Sequence, residues 1–163
     1  MKHRVTVLVC TASCCLLLSC ASVVPGWIRS EVYGKGSLCY GASFILQSVQ
    51  IERSVDAQSL ERELAALVPL ELGRLGFTQA GEESNADYVI KVYGYEREYF
   101  QGYKGKRAAK VELEFFLAGN LQSFLSVHAW MGSEGNLLLT GTLKRLVMAL
   151  VYKVSNKITG RKL

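Results

Sequence analysis

Cysteine and histidine are the residue types in this chain best suited to nucleophilic catalysis or metal binding. The sequence holds five cysteines and two histidines, but beyond residue 20 only Cys39 and His128 remain. A hydrolytic triad needs a histidine held between a nucleophile and an acid, and a zinc site needs at least three protein ligands. His128 lies in a strand-like stretch where we expect it on the surface. We therefore predict no catalytic residue, no metal site and no cofactor.

Cys39 is the one thiol available to react in the part of the chain that should fold. It lies in an apolar, strand-like stretch with no histidine or basic residue next to it. A thiol becomes reactive when a nearby positive charge lowers its pKa, whereas an unassisted cysteine behaves as a small apolar residue. The sequence thus favours a buried structural cysteine over a reactive one.

The first nineteen residues show the three zones of a signal peptide. A basic start, Lys2-His3-Arg4, precedes the apolar run Val5–Leu18, which is shorter than the roughly 20 apolar residues that span a bilayer. The run ends in Leu17-Leu18-Ser19-Cys20, which resembles the lipobox of bacterial lipoproteins: an aliphatic residue, a small residue at the cleaved bond, then cysteine. The resemblance implies cleavage between Ser19 and Cys20.

The same resemblance makes Cys20 the lipidation site. Cysteine is required there because diacylglycerol is attached through its thiol, and fatty acids such as palmitate complete the anchor. Each buried methylene contributes about 0.8 kcal/mol, so two or three acyl chains should hold the protein on a membrane for long times. Ala21 stands where some enteric lipoproteins retained in the inner membrane have aspartate, so the resemblance favours the periplasmic face of the outer membrane.

Residues 20–36 are interpreted as a lipidated tether and residues 37–163 as one globular domain; the alternative is that residues 21–36 pack on the domain. Alternating apolar residues predict a strand from Ser37. Leucines at spacings of three and four between Leu60 and Leu75 predict a helix that Gly76 ends. Pro69 should kink that helix or divide it in two, since proline removes a backbone hydrogen bond.

The second half of the domain is predicted to be a meander followed by a helix. Strands are expected at 87–99, 109–117, 125–131 and 137–142, with the turn of the first hairpin at 101–107, and a helix is expected to run from Leu143 to Ile158. Helices at both ends of a meander can cover one face of the sheet. We predict an α+β fold: a two-layer domain with an antiparallel sheet of four to five strands and two helices packed on one face.

One region combines aromatic and basic residues in a way that suits a binding surface. It comprises Tyr93, Tyr95, Arg97, Tyr99, Tyr103, Lys104, Lys106 and Arg107, with Lys110 beside them. Such a surface could bind an anionic polymer, a lipid headgroup or a protein loop; the alternative is a tyrosine-rich strand with a solvated hairpin tip. Nucleic acid is disfavoured, because export would remove the domain from the cytoplasm.

The order of elements resembles the mature domains of bacterial envelope lipoproteins, namely families of unknown function and the lipoprotein subunit of the lipopolysaccharide-assembly translocon. The shared features are the opening strand, the helix ending Leu75-Gly76-Phe77, the stretch Ala86–Ile90 and the terminal helix. The resemblance implies a membrane-anchored, non-enzymatic binding or assembly module whose partner is another envelope protein or an anionic envelope component. The alternatives are a translocon subunit in outer-membrane assembly and an envelope enzyme.

Overall fold

The computed structural model describes residues 28–52, 54, 56–101, 104–132, 137 and 141–161. For residues 97–101, 104–107, 160 and 161 it describes the backbone alone. Ser19 and Cys20 lie outside the described residues, so the signal peptide and the lipid anchor stay predictions.

The elements alternate between strands and helices along the chain. Their order is β1 (Ile28–Tyr33), β2 (Leu38–Tyr40), β3 (Ser43–Glu52), α1 (Ala57–Arg74), β4 (Thr78–Gln79), a 3₁₀ helix (Glu83–Asn85), β5 (Tyr88–Gln101), β6 (Lys104–Leu117), β7 (Leu125–Met131), α2 (Thr142–Ser155) and β8 (Ile158–Arg161).

Among the described residues, the main sheet has six strands in the order β1-β7-β6-β5-β3-β4. β3 is parallel to β4 and β5, because α1 crosses back over the sheet between β3 and these later strands; the other pairs are antiparallel. β2 and β8 form a separate parallel pair. The α+β class is confirmed, with six strands in the main sheet where four to five were expected, because β1 and β4 extend it at its two edges.

Both helices pack on one face of the sheet, because their apolar residues recur on one side. Leu64, Val68 and Leu72 of α1 are fully buried, as are Leu146 and Leu150 of α2. In β6 and β7 every second residue enters this core: Val111, Leu113 and Phe115 from β6, and Leu125, Val127 and Ala129 from β7. The strands predicted at 109–117 and 125–131 are confirmed, the first as part of the longer β6.

β1 lies in residues 21–36, for which the sequence left two alternatives: a free tether or a segment packed on the domain. Ile28–Tyr33 pairs along its whole length with β7, from Ile28 opposite Met131 to Tyr33 opposite Ser126. Ile28 and Val32 pack against the core. Of a free tether and a segment packed on the domain, the structure shows the second for these six residues.

Of the two alternatives at Pro69, division of the first helix in two is wrong, and a kink stays a prediction. α1 is one helix of 18 residues with Pro69 inside it. Val68 and Leu72, on either side of the proline, are fully buried against the sheet, and this packing offsets the missing backbone hydrogen bond. Gly76, at φ +92°, does end the helical segment as expected, with its N–H donating to the Gly73 carbonyl.

Three predicted boundaries also differ from the structure. The first hairpin is longer than expected, because β5 continues to Gln101 and β6 begins at Lys104. Thr142 opens α2 instead of closing a strand, and Leu137 lies in a turn, while residues 138–140 are outside the described part. Ile158 is not part of α2, where it was expected. It lies in β8, pairs with Leu38 of β2 and packs against the core.

Candidate functional site

The sheet face opposite the helices carries a cluster of polar and aromatic side chains, called here the open face. Because successive side chains of a strand alternate, the residues between the core positions of β1, β5, β6 and β7 all point there. The residues of the open face used below are Arg29, Glu31, Tyr33, Tyr95, Lys110, Glu112, Ser126, His128 and Trp130.

Glu112 is the centre of a hydrogen-bonded network on this face. Its Oε2 accepts a hydrogen bond from Lys110 Nζ at 2.9 Å. Its Oε1 lies 2.7 Å from His128 Nε2 and accepts a hydrogen bond from Ser126 Oγ at 3.0 Å. The side chains of Lys110, Glu112 and His128 are each only 17–18% exposed. Three partners on β6 and β7 therefore hold one half-buried carboxylate.

The network changes the protonation of Glu112. Burial alone would raise the pKa of the carboxyl group, but the hydrogen bonds from His128 and Lys110 and their positive charges outweigh it and lower the pKa to about 2. Burial likewise opposes the charge of Lys110, yet its hydrogen bonds to Glu112 and Tyr95 raise its pKa above the ordinary value. Both groups are ionised across the neutral range.

Ser126, His128 and Glu112 are the residue types of a hydrolytic triad, but they do not have its geometry. Ser126 Oγ lies 2.6 Å from His128 Nε2, and Glu112 Oε1 lies 2.7 Å from the same nitrogen. In a triad the acid binds one ring nitrogen and the nucleophile binds the other, so that a proton can pass between them. Here the hydroxyl group and the carboxylate share Nε2, an arrangement suited to holding the ring in place.

A cavity of about 270 Å³ opens beside this network, at the end of the face nearest Met131. Its lining is largely aromatic: Tyr33, Tyr95, Ala108, Lys110, His128 and Trp130. Lys110 Nζ lies 5.2 Å from the centre of the Tyr95 ring, and Arg29 Cζ lies 5.8 Å from that of Trp130. These distances are those of cation–π contacts. The pocket thus joins flat apolar surfaces to fixed charges.

The edge strand completes one wall of the pocket. The Tyr33 ring lies 4.6 Å from the His128 ring, centre to centre, and the Tyr33 hydroxyl donates to Glu31 Oε2 at 2.5 Å. That hydrogen bond raises the pKa of Tyr33 and lowers the pKa of Glu31, which also pairs with Arg29 at 2.7 Å. β1 therefore contributes an ordered wall, and the pocket would lose it if residues 28–33 formed a free tether.

A second cavity, of about 340 Å³, lies between β3 and α1. Two of its polar side chains already bind the domain itself: Glu61 Oε1 accepts from the Ile51 N–H, and Arg62 Nε donates to the Gln58 carbonyl. Although it is larger, this groove brings together no cluster of charged and aromatic groups among its described lining residues. The pocket on the open face is the stronger candidate site.

Replacing Glu112 with glutamine should destabilise the domain by about 1.5–3 kcal/mol at pH 7, the usual range for hydrogen bonds to charged groups. Because folding lowers the pKa of Glu112 from 4.5 to about 2, its contribution is full above pH 4.5 and is lost as the pH falls towards 2. Urea unfolding of both proteins at pH 7 and at pH 3 should show the difference shrinking at the lower pH.

Glu114→Gln is the matched control for this prediction. Glu114 lies two residues further along β6 and also points to the open face, opposite Lys91 and Ser126 in the sheet register. A destabilisation by Glu114→Gln as large as that by Glu112→Gln would show that loss of charge on this face, and not the network, causes the effect.

The sequence-predicted binding surface divides into three parts. Tyr93 and Tyr95 are half-buried on the open face, and Tyr95 lines the pocket. Burial and the charges of Glu114 and Glu112 raise the pKa of Tyr93. Arg97, Tyr99, Lys104, Lys106 and Arg107 lie on the paired backbone of β5 and β6, which the register places as Arg97 opposite Ala108 and Tyr99 opposite Lys106. Tyr103 lies outside the described residues.

Two single-residue expectations are corrected. Cys39 is exposed, not buried, because in β2 the core position is taken by Leu38 and the next side chain points outward. Its backbone N–H donates to the Tyr88 hydroxyl at 3.0 Å. His128 is half-buried instead of freely exposed, because the Tyr33 ring and Glu112 cover it.

Sequence reasoning missed Glu112, Arg29, Tyr33 and Trp130 as members of one site. The alternation of β6 and β7 does indicate that Glu112, His128 and Trp130 leave the core. Nothing local shows that Arg29 and Tyr33 join them, because that depends on β1 pairing with a strand far along the chain.

In the described part of the chain, no helix is both long and apolar enough to cross a bilayer. Across the same residues, no three histidine, cysteine, aspartate or glutamate side chains are grouped so that they could hold a metal ion.

No protein-family model matches this chain, and no curated protein matches it significantly in sequence. Among solved structures, a single-residue variant of PelC from Paraburkholderia phytofirmans, solved as a dodecamer, superposes with a TM-score of 0.52 at 18% identity. The match covers 83% of this chain and 100% of that one. A lipoprotein, GNA1162 from Neisseria meningitidis, is similar with a TM-score of 0.40 at 14% identity, over 71% of this chain and 99% of its own. At these identities the likeness concerns architecture, and the chain shares the fold of PelC.

Proposed function

We propose that this protein is a lipid-anchored, non-enzymatic binding module of the bacterial cell envelope whose partner docks on the open face. The anchor is inferred from Leu17-Leu18-Ser19-Cys20 at the end of the apolar run. The observation that carries the binding role is the pocket of Tyr33, Tyr95 and Trp130 around an ordered charge network.

Physical arguments favour binding over chemistry at this site. Tyrosine and tryptophan offer large contact areas with few rotatable bonds, which makes them common at the centres of interfaces. The Lys110–Glu112–His128 network holds the surrounding side chains before a partner arrives, so less entropy is lost on association. Catalysis is not supported, because Ser126 and Glu112 share one nitrogen of His128.

The location proposed is the periplasmic face of the outer membrane. It rests on Ala21 after the lipidated cysteine, where aspartate would favour the inner membrane. A lipid on Cys20 would keep the domain close to the bilayer, where another envelope protein or an anionic envelope component is available as a partner.

A second candidate is a subunit of a larger envelope assembly, including a translocon of the lipopolysaccharide type. PelC, whose fold this chain shares, was solved as a dodecamer. In the described sheet β1 is an edge strand that pairs on one side with β7, and an edge strand presents backbone groups to which another chain can pair. β1 also forms a wall of the pocket, so self-assembly and partner binding would use neighbouring surfaces.

Photo-crosslinking in intact cells tests the proposed function. A photoreactive phenylalanine derivative at Tyr33, which lines the pocket, should yield a specific crosslinked product. The same group at Tyr152, which is 66% exposed on α2 behind the sheet, is the matched control and should not. Equal yields from both positions, or none from Tyr33, would contradict docking on the open face.

The mass of the product distinguishes the two candidates. Crosslinks at multiples of the chain mass indicate self-assembly, and a crosslink to an outer-membrane barrel supports the translocon alternative. A crosslink to any other envelope component supports the binding module.

A further inference from the structure

The paired backbone of residues 97–101 and 104–107, called here the long hairpin, extends past the ends of the neighbouring strands in the described part of the chain. β5 and β6 pair as far as Gln101 opposite Lys104. Their neighbours stop earlier: β3 ends at Glu52 opposite Tyr95, and β7 ends at Met131 opposite Ala109. The residues from Lys104 to Ala108, at about 3.4 Å each, carry this two-stranded ribbon roughly 17 Å beyond the sheet.

The chain enters the sheet at the same end. β1 begins at Ile28, which lies opposite Met131, and Met131 lies opposite Ala109 at the base of the long hairpin. Cys20 is eight residues before Ile28 in the sequence and can therefore lie at most about 28 Å from it. The greatest span of residues 20–28 exceeds the reach of the hairpin, so a membrane that holds Cys20 can also contact the hairpin.

The composition of the long hairpin suits a membrane surface. It contains four basic residues, Arg97, Lys104, Lys106 and Arg107, and one acidic residue, Glu98. The chain from Cys20 onward has 17 basic and 14 acidic residues, so the rest of it is balanced at 13 of each. The whole positive excess of the mature chain is thus in this hairpin. Tyr99 and Phe100 add aromatic types, of which tyrosine is enriched at membrane interfaces.

We infer that the long hairpin docks on anionic phospholipid headgroups of the membrane that holds the Cys20 anchor. The inference rests on the lipid anchoring in the proposed function and adds a second contact with the bilayer. A few cations bind anionic lipid weakly by themselves, but a short tether raises their effective concentration at the surface. Two contacts at one end of the sheet orient the domain, with the strands rising from the bilayer and the open face turned sideways to the periplasm.

An environment-sensitive dye on the hairpin tests this docking. The full-length chain is expressed so that it is acylated, with Cys39→Ser to remove the exposed thiol and Tyr99→Cys to attach the dye NBD. The purified protein is reconstituted with vesicles of phosphatidylcholine, alone or mixed with phosphatidylglycerol. NBD fluorescence should rise and shift to the blue in the anionic vesicles alone, and high salt should reverse the change.

Matched variants separate the hairpin from general charge. Lys104→Gln/Lys106→Gln/Arg107→Gln should lower the docking equilibrium constant by on the order of a hundredfold, since each cation near the surface contributes about fivefold. The control Lys35→Gln/Lys153→Gln/Lys157→Gln removes equal charge at the opposite end of the sheet and should leave docking unchanged. NBD on Lys35→Cys should stay silent in both vesicles.

Different results would contradict the lipid anchor and the docking of the long hairpin. Flotation with pure phosphatidylcholine vesicles reports the anchor, because those headgroups carry no net charge; protein that does not float contradicts lipid anchoring. If the protein floats but the fluorescence of NBD on the hairpin is the same with and without phosphatidylglycerol, the docking inference alone is overturned. A response to a soluble anionic polysaccharide but not to the anionic vesicles overturns it as well, and assigns the hairpin to a polymer.

Discussion

Replacing Cys20 with serine is expected to abolish acylation of the protein and cleavage of its signal peptide. Serine has no thiol to carry diacylglycerol, so neither palmitate labelling nor processing after Ser19 should occur. Two or three acyl chains, at about 0.8 kcal/mol for each buried methylene, dominate the affinity for the bilayer. In cells fed labelled palmitate, the wild-type protein should incorporate label and float with membranes, whereas Cys20→Ser should be unlabelled and keep its signal peptide.

Cys39→Ser is the matched control for this change. Cys39 is the exposed thiol of the described domain, and its replacement removes one sulfur without touching the lipobox. It should leave labelling, processing and flotation unchanged. If Cys20→Ser kept the label and Cys39→Ser lost it, the lipid would be on Cys39 and the prediction of Cys20 as the anchor would be contradicted.

Leu113→Ala is expected to cost about 2–5 kcal/mol of unfolding free energy, more than any other substitution proposed for the folded domain. Leu113 is fully buried in the middle of β6, between the sheet and the helices. Alanine would remove apolar surface from the core and leave a cavity. Because β6 is paired with β5 on one side and β7 on the other, it cannot easily move to fill that cavity. Urea denaturation followed by circular dichroism measures the loss.

Leu121→Ala makes the same chemical change at a position that is 100% exposed. It should change the unfolding free energy by less than about 0.5 kcal/mol, because no buried contact is removed. Equal effects of the two variants would mean that β6 does not pack as described. That result would also remove the support for the open face, since its residues alternate with Leu113 along the same strand.

Leu113 and Glu112 lie on the two sides of one strand. β6 sends Val111, Leu113 and Phe115 into the core, while Lys110 and Glu112 project to the open face. Loss of Leu113 should weaken the whole domain at every pH. Loss of the Glu112 charge should weaken it chiefly above pH 4.5, so the pH dependence separates a core effect from an effect on the network.

The likeness to PelC concerns the arrangement of strands and helices, at 18% identity. The charge network and the aromatic pocket are features of this chain's own side chains, around Glu112 and Trp130. The crosslinking and lipid-docking experiments therefore test this chain directly, without any role being carried over from PelC.

Local patterns in the sequence were enough to predict the fold class. The alternation in β6 and β7 and the leucine spacing in α1 and α2 reflect neighbours two to four residues apart, and such short-range patterns are visible without a structure. They correctly indicated a two-layer α+β domain and the end of α1 near Gly76. The same local view allowed Pro69 to divide α1, which it does not, because burial of Val68 and Leu72 by the sheet offsets what proline costs an isolated helix.

By itself, then, the sequence determined where both helices and the strands β5, β6 and β7 lie and which of their faces are apolar, and it is still the only source for the predicted anchor at Cys20. The tertiary structure decided which strands are neighbours: it brought Tyr33 of β1 against His128 of β7 and placed the start of β1 beside the base of the long hairpin. The physical reason is that periodicity is set by nearby residues, whereas strand pairing depends on free energy summed over contacts between residues far apart in the chain.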